Sequence, residues 1–140
     1  MIVLDTNIVS ETSRRLPDAA LVYWLSIQRT EELYLTDMTI TELFYGGEKH
    51  RLKHGSSRYL DNAREILEIR YATRILRSSN ASSALAGLVR ARREMNGRMM
   101  TIQDAQIAAI CLSHGATLAT RNTKDFEGLD LSLVNPFEGA

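Results

Sequence analysis

The chain has 140 residues, 44% of them hydrophobic, and its 17 Lys/Arg balance 17 Asp/Glu. That size and apolar content suit one globular domain over residues 1–140 that needs no covalent staple, and they exclude a disordered or collagen-like chain. A single cysteine, Cys111, excludes an internal disulfide, and no run of about 18 apolar residues is present to span a membrane.

Ile2-Val3-Leu4 is a short apolar run that stops at Asp5, and it reads as a buried strand. The start is acidic by its fifth residue and lacks a basic leader, so no secretory signal is expected and the chain reads as cytoplasmic. Asp18 is placed to cap a helix running to about Gln28. Leu33–Thr36 reads as a second strand. Thr39 then opens a helix in which Ile40, Leu43, Phe44 and Gly47 recur at helical spacing. Residues 49–58 form a polar, basic stretch expected to be a helix end and a loop, with another helix from Arg58 to about Ile69. Arg74–Arg77 is a weak strand candidate. Ala81, Ala84, Leu85, Leu88 and Val89 form an apolar stripe on a helix ended by Gly97. The helix from Thr101 to Gly115 is apolar nearly all round, as a helix buried on more than one side is. Ala116–Thr120 and Leu131–Val134 are the last strands. Strands alternating with helices predict an α/β fold with a mainly parallel sheet covered on both faces, and ligands then sit beyond the carboxyl ends of the strands.

That rule directs attention to the first residues after each strand. Asp5, followed by Thr6 and Asn7, is either a cleft carboxylate or a helix cap. Glu42 and Asp104 each sit three residues after a threonine, Thr39 and Thr101, so each fits a capping box as well as a site acid held in a first helical turn. Asn122 and Asp125 follow the fourth strand and, alone, read as an ordinary polar turn. Together these residues bring several acids to one sheet edge, where crowding is costly unless a cation neutralises them. Hard oxygen donors favour Mg²⁺ or Mn²⁺ over zinc, and such an ion can activate water against a phosphodiester. His50 and His54 lack a zincin glutamate between them and read as solvated side chains. Cys111, within an apolar helix, reads as packing.

The charges are segregated. Residues 46–98 hold twelve Lys/Arg and five Asp/Glu, a net of +7, and the remainder nets −7. A basic half facing an acidic half suits a polyanion beside a cation site, and equally suits basic helix faces in water. From charge alone, Arg90, Arg92, Arg93 and Arg98, or Lys49, Arg51 and Lys53, are the groups to hold a phosphate backbone.

In order along the chain, four segments resemble the motifs of PIN-domain ribonucleases, in particular the VapC/FitB-type toxins of bacterial toxin–antitoxin pairs. These are Ile2-Val3-Leu4-Asp5-Thr6-Asn7, Thr39-Ile40-Thr41-Glu42-Leu43 with Gly46, Gln103-Asp104-Ala105-Gln106-Ile107-Ala108-Ala109, and Thr117–Phe126. The ending Val134-Asn135-Pro136-Phe137 is similar to theirs too. The resemblance implies a three-layer α/β/α PIN-like fold and a Mg²⁺- or Mn²⁺-dependent endoribonuclease that uses metal-activated water. It implies Asp5 and Asp104 as principal metal ligands, and Glu42 as a third ligand or water-orienting group. Thr6, Asn7 and Thr120 would act behind them. The fourth acidic position falls on Asn122, a neutral and weaker ligand, which puts a second metal in question; Asp125 is the group to compensate. Such toxins form homodimers, act on RNA, and are silenced by a small antitoxin protein. Two other functions remain open: a non-catalytic nucleic-acid-binding or regulatory PIN-like domain, and a phosphohydrolase of small esters.

Overall fold

The computed structural model describes residues 1–138; Gly139 and Ala140, the last two residues of the expected domain, lie outside them. A short strand β1 (Ile2–Leu4) leads into α1 (Thr6–Thr12) and α2 (Ala19–Ser26). Then come β2 (Leu33–Thr36), the long α3 (Asp37–His54), α4 (Arg58–Glu65) and a wider π turn (Ile66–Arg70). The second half runs β3 (Ile75–Leu76), α5 (Asn80–Met95), α6 (Ile102–His114), β4 (Thr117–Ala119), a 3₁₀ turn (Thr123–Phe126) and β5 (Leu133–Val134).

All five strands are parallel, in the order β3-β2-β1-β4-β5. The chain winds from β1 outward through β2 and β3, then returns to build β4 and β5 on the other side. The winding therefore reverses between β1 and β4, and loops beyond the carboxyl ends of these two strands diverge to leave a crevice. Alternation along the strands splits the core. Val3 and Leu118 pack with Ala86, Val89, Ile107, Ala108 and Phe126 from the α5–α6 side. Leu4, Leu33, Leu35 and Ala119 pack with Ile8, Val9, Leu21 and Ile66 on the opposite face. Helices thus cover both faces, and full burial of each large side chain contributes about 1.5–3 kcal/mol.

Several boundaries differ from the sequence expectation. The helix expected to open at Thr39 begins at Asp37, because Thr36 is its cap and accepts from the Thr39 backbone N–H at 3.3 Å. It continues through the supposed loop to His54 and stops at Gly55, which takes a left-handed φ of 73°. The stripe on α5 is rotated: Ser82, Ala86, Val89 and Arg93 are buried, whereas Ala81, Ala84 and Leu88 are exposed. Arg93 holds this phase by donating to the Glu127 carbonyl, and Arg98 pairs with the Glu127 carboxylate at 3.0 Å. Arg90 donates to the Met100 carbonyl. Arg90, Arg93 and Arg98, expected from charge to hold phosphates, thus each have a partner within the fold, and of the three Arg93 is buried.

Candidate active site

Asp5 is the first residue after β1 and Thr120 the first after β4, and the ladder continues into them: the Asp5 N–H donates to the Ala119 carbonyl at 2.9 Å. Backbone pairing therefore fixes both residues at the crevice. Asp5 is 6% exposed and its carboxylate is held at both oxygens. Oδ1 accepts from the Thr6 N–H at 2.8 Å, and Oδ2 accepts from the Thr120 hydroxyl at 2.8 Å and the Asn7 amide at 3.3 Å. Asp5 is also the cap of α1, so both readings of this residue hold at once.

Glu42 reaches the same place from α3. Since that helix starts at Asp37, Glu42 lies in its second turn and the expected capping box with Thr39 does not form. Thr39 is buried, and its hydroxyl lies 3.0 Å from that of Thr6. Thr6 in turn donates to Glu42 Oε1 at 3.1 Å. Asp104 comes from the first turn of α6, where Thr101 accepts from the Asp104 N–H at 3.0 Å. Only that threonine half of the expected box is present, and a complete box is found instead on α5, between Ser79 and Ser82.

These three acids, with Thr6, Asn7, Asn122 and Asp125, line one cleft of about 410 Å³. Asn122 is fixed by its N–H on the Thr120 hydroxyl at 3.1 Å, and the exposed Asp125 is held by its N–H on the Asn122 carbonyl at 3.0 Å. Ser10 joins the lining. The sequence reading passed over it, although its place one helical turn after Thr6 was the available signal.

The electrostatics follow from burial and crowding. Burial pushes the Asp5 carboxyl up, against the Thr120 and Thr6 hydrogen bonds that favour its charged form. Burial likewise raises Glu42, opposed by the bond from Thr6 and reinforced by the Asp5 charge. Asp104 is raised to about 6, first by burial and then by Asp5 and Asp125. Among the described residues, no three His, Cys, Asp or Glu side chains stand close enough to hold one ion as placed. The expected acids share a cleft without closing on a common point. Asp5 is the most firmly held of the three, and Glu42 is held at one oxygen through Thr6. The donors are all oxygen, a set that fits Mg²⁺ or Mn²⁺.

Residues 2–130 match the family model of the PIN domain. The chain belongs to the PIN-domain family. Among curated proteins, this PIN domain is 37% identical to the VapC ribonuclease Y4jK of Sinorhizobium fredii, over 100% of both chains. It is 31% identical to the toxin FitB of Neisseria gonorrhoeae, over 98% of this chain and 99% of that one. Among solved structures, it superposes with a TM-score of 0.88 on a chain of FitAB bound to an IR36 DNA fragment, at 31% identity, covering 100% of this chain and 98% of that one. The three-layer α/β/α arrangement implied by the resemblance is thus the fold of this PIN domain.

Two other sequence readings concern Cys111 and the histidines of this PIN domain. Cys111 is buried, and burial pushes its thiol up to about 12, far from a reactive thiolate. His54 is exposed, whereas His50 is half-buried, its ring 4.7 Å from that of Tyr59.

Proposed function

We propose that this PIN domain is the toxin of a toxin–antitoxin pair, an endoribonuclease that hydrolyses RNA phosphodiester bonds with Mg²⁺ or Mn²⁺ held at the acidic cleft. The observation that carries this reading is the meeting of Asp5, Glu42 and Asp104 in one cleft at the crevice between β1 and β4, each with a raised pKa. A divalent cation bound there would lower the pKa of a coordinated water and neutralise charge developing on the phosphate. Asp5, locked by Thr6, Asn7 and Thr120, supplies a rigid oxygen donor. Asp104 supplies a second carboxylate from the facing helix. Glu42, steadied through Thr6, orients the attacking water and is placed to take its proton. Asn122 and Asp125 complete the rim.

The names of the relatives support the ribonuclease and toxin parts of this reading, and the FitAB complex supports a cognate antitoxin as partner. The homodimer is part of the same proposal and rests on the resemblance alone. The test is incubation of purified protein with structured RNA in Mg²⁺ and in EDTA, beside growth of cells expressing it with and without its antitoxin. The reading predicts new RNA ends only with metal, and growth arrest relieved by the antitoxin. RNA binding without cleavage in either condition supports the non-catalytic reading, for which the neutral Asn122 is the one favourable feature.

A further inference from the structure

The acidic cleft does not end at Glu42. Ser10 and Glu42 line it and also line a second cavity of about 280 Å³, close to the lower limit of ligand pockets at ~300 Å³. Its walls include Gly46, His50, Tyr59 and Asn62, from α3 and α4. Tyr59 and Asn62 in turn border a groove of mixed charge, where Arg14 and Arg58 lie with Asp61 and Glu65. The acidic cleft and a small aromatic-walled cavity therefore adjoin along one face, sharing Ser10 and Glu42.

Gly46 is the telling residue. It lies inside an 18-residue helix, where glycine is less stable than alanine. A Cβ built on it would meet nothing within 4 Å, so the fold itself gives no reason for glycine there. Its neighbour Gly47 is different, since a Cβ would lie 3.0 Å from the Leu60 backbone. A helix glycine that relieves no contact in the fold, on a cavity wall beside the acids, leaves room for a ligand to approach the backbone. The groups around it suit a nucleobase. His50 and Tyr59 meet edge to face at 4.7 Å, the Arg58 guanidinium lies 5.3 Å from the Tyr59 ring centre, and Asn62 and Ser10 bring polar edges. Rings and guanidinium planes stack unpaired bases, and amides and hydroxyls read their edges.

We infer that this cavity is a subsite for one unstacked nucleobase next to the phosphate being cleaved, and that it sets sequence preference at that position. The inference rests on the ribonuclease reading above. It assigns base recognition chiefly to residues beyond the acidic cleft, with Ser10 shared between the two, and it gives Gly46 a role that packing does not.

The test pairs two measurements on the whole protein. Fluorescence anisotropy in EDTA follows binding of short single-stranded oligoribonucleotides that differ at one base. Hydrolysis of bis(p-nitrophenyl) phosphate in Mn²⁺ reads the acidic cleft without any base, for comparison with RNA cleavage. Wild-type protein is expected to discriminate among the oligonucleotides. Gly46→Leu and Tyr59→Ala are expected to bind the preferred one at least about fivefold more weakly and to lose that discrimination. Their loss on RNA should exceed their loss on the base-free diester by the same factor. Should leucine prevent folding, Gly46→Ala carries the test, with reduced discrimination expected and no fall in Tm. Unchanged affinity and discrimination in the folded Gly46 variant overturn the inference. So does unchanged RNA binding accompanied by weaker binding of a co-expressed antitoxin, which would give the cavity to a protein partner. Base-selective binding lost in Gly46→Leu, from a wild-type protein that cleaves neither substrate, leaves the subsite standing and refutes the ribonuclease reading.

Discussion

The hydroxyl of Thr120 donates to Oδ2 of Asp5 at 2.8 Å, joining the first residues beyond two adjacent strands that lie 115 positions apart in the chain. Both are buried. The bond aims one Asp5 oxygen, and through the Asn122 N–H on the same hydroxyl it positions the opposite rim of the cleft. Thr120→Val keeps the shape and removes both contacts, together with the one from the Asn7 amide at 3.4 Å. Loss of a hydrogen bond to a buried carboxylate predicts a stability decrease of about 1–3 kcal/mol. Loss of support for a ligand predicts metal affinity or RNA cleavage lower by about 10–100-fold. Denaturant melts and Mg²⁺-dependent cleavage of the purified variant measure the two; wild-type values for both would show that this bond positions nothing.

Asn122→Asp restores a carboxylate at the position where the resemblance expects one. In the metal-free protein it adds a like charge near Asp104, already raised to about 6, so Tm in EDTA should fall. With Mg²⁺ or Mn²⁺ present the added charge becomes a ligand, and affinity should rise several-fold. Calorimetric titration of both proteins separates this from a simple surface charge, which would change neither Tm nor affinity.

The acids also give a pH dependence with a definite sign. Asp104 titrates near 6 in the folded chain and at 3.8 when unperturbed, and Asp5 and Glu42 are raised too. Between these limits the folded state binds more protons than the unfolded one, so these groups favour folding at low pH and lose that contribution as pH rises toward and past 6. Solvent reduces the size of the effect, because Asp104 is only half-buried. Thermal melts in EDTA from pH 4.5 to 7.5 should show Tm falling more steeply with pH for wild type than for Asp104→Asn, and Mg²⁺ should flatten the wild-type curve. Identical slopes for the two proteins would show that the crowding of acids has no energetic consequence.

Gly47 provides a control on the packing account. An added methyl would press on the Leu60 backbone at 3.0 Å, where α3 crosses α4. Overpacking of about 1–3 kcal/mol outweighs the roughly 0.5–1 kcal/mol that alanine gains in a helix interior. Gly47→Ala should therefore lower the denaturation midpoint, and a higher midpoint would mean that the two helices separate freely.

The sequence made much of this visible. Asp5 could be placed because a three-residue apolar run ends on it, and Asp104 because Thr101 marks a helix start. What it hid was phase and reach. Thr36 and Thr39 are both good caps, and only tertiary contact decides between them: Thr39 is drawn inward to Thr6, so the helix starts earlier and Glu42 leaves the first turn. The alanines at 81 and 84 suggested a buried stripe, but small side chains gain little from burial. The Arg93 guanidinium, bonded to a carbonyl 34 residues away, turns α5 the other way. Basic composition likewise gave no sign that Arg90, Arg93 and Arg98 have partners within the fold, since partners distant in sequence leave no local trace. Convergence of the acids was legible only as a consequence of parallel-sheet topology.

The claim on which the account depends is that acids from β1, α3 and α6 share one divalent ion. Calorimetric titration of Mn²⁺ into the wild-type chain and into Asp5→Asn, Glu42→Gln and Asp104→Asn tests it most directly, with circular dichroism confirming that each variant is folded. The account predicts one shared site whose affinity falls at least about tenfold in the Asp5 and Asp104 variants and measurably in the Glu42 variant. Equal Mn²⁺ affinity in all four folded proteins would contradict it.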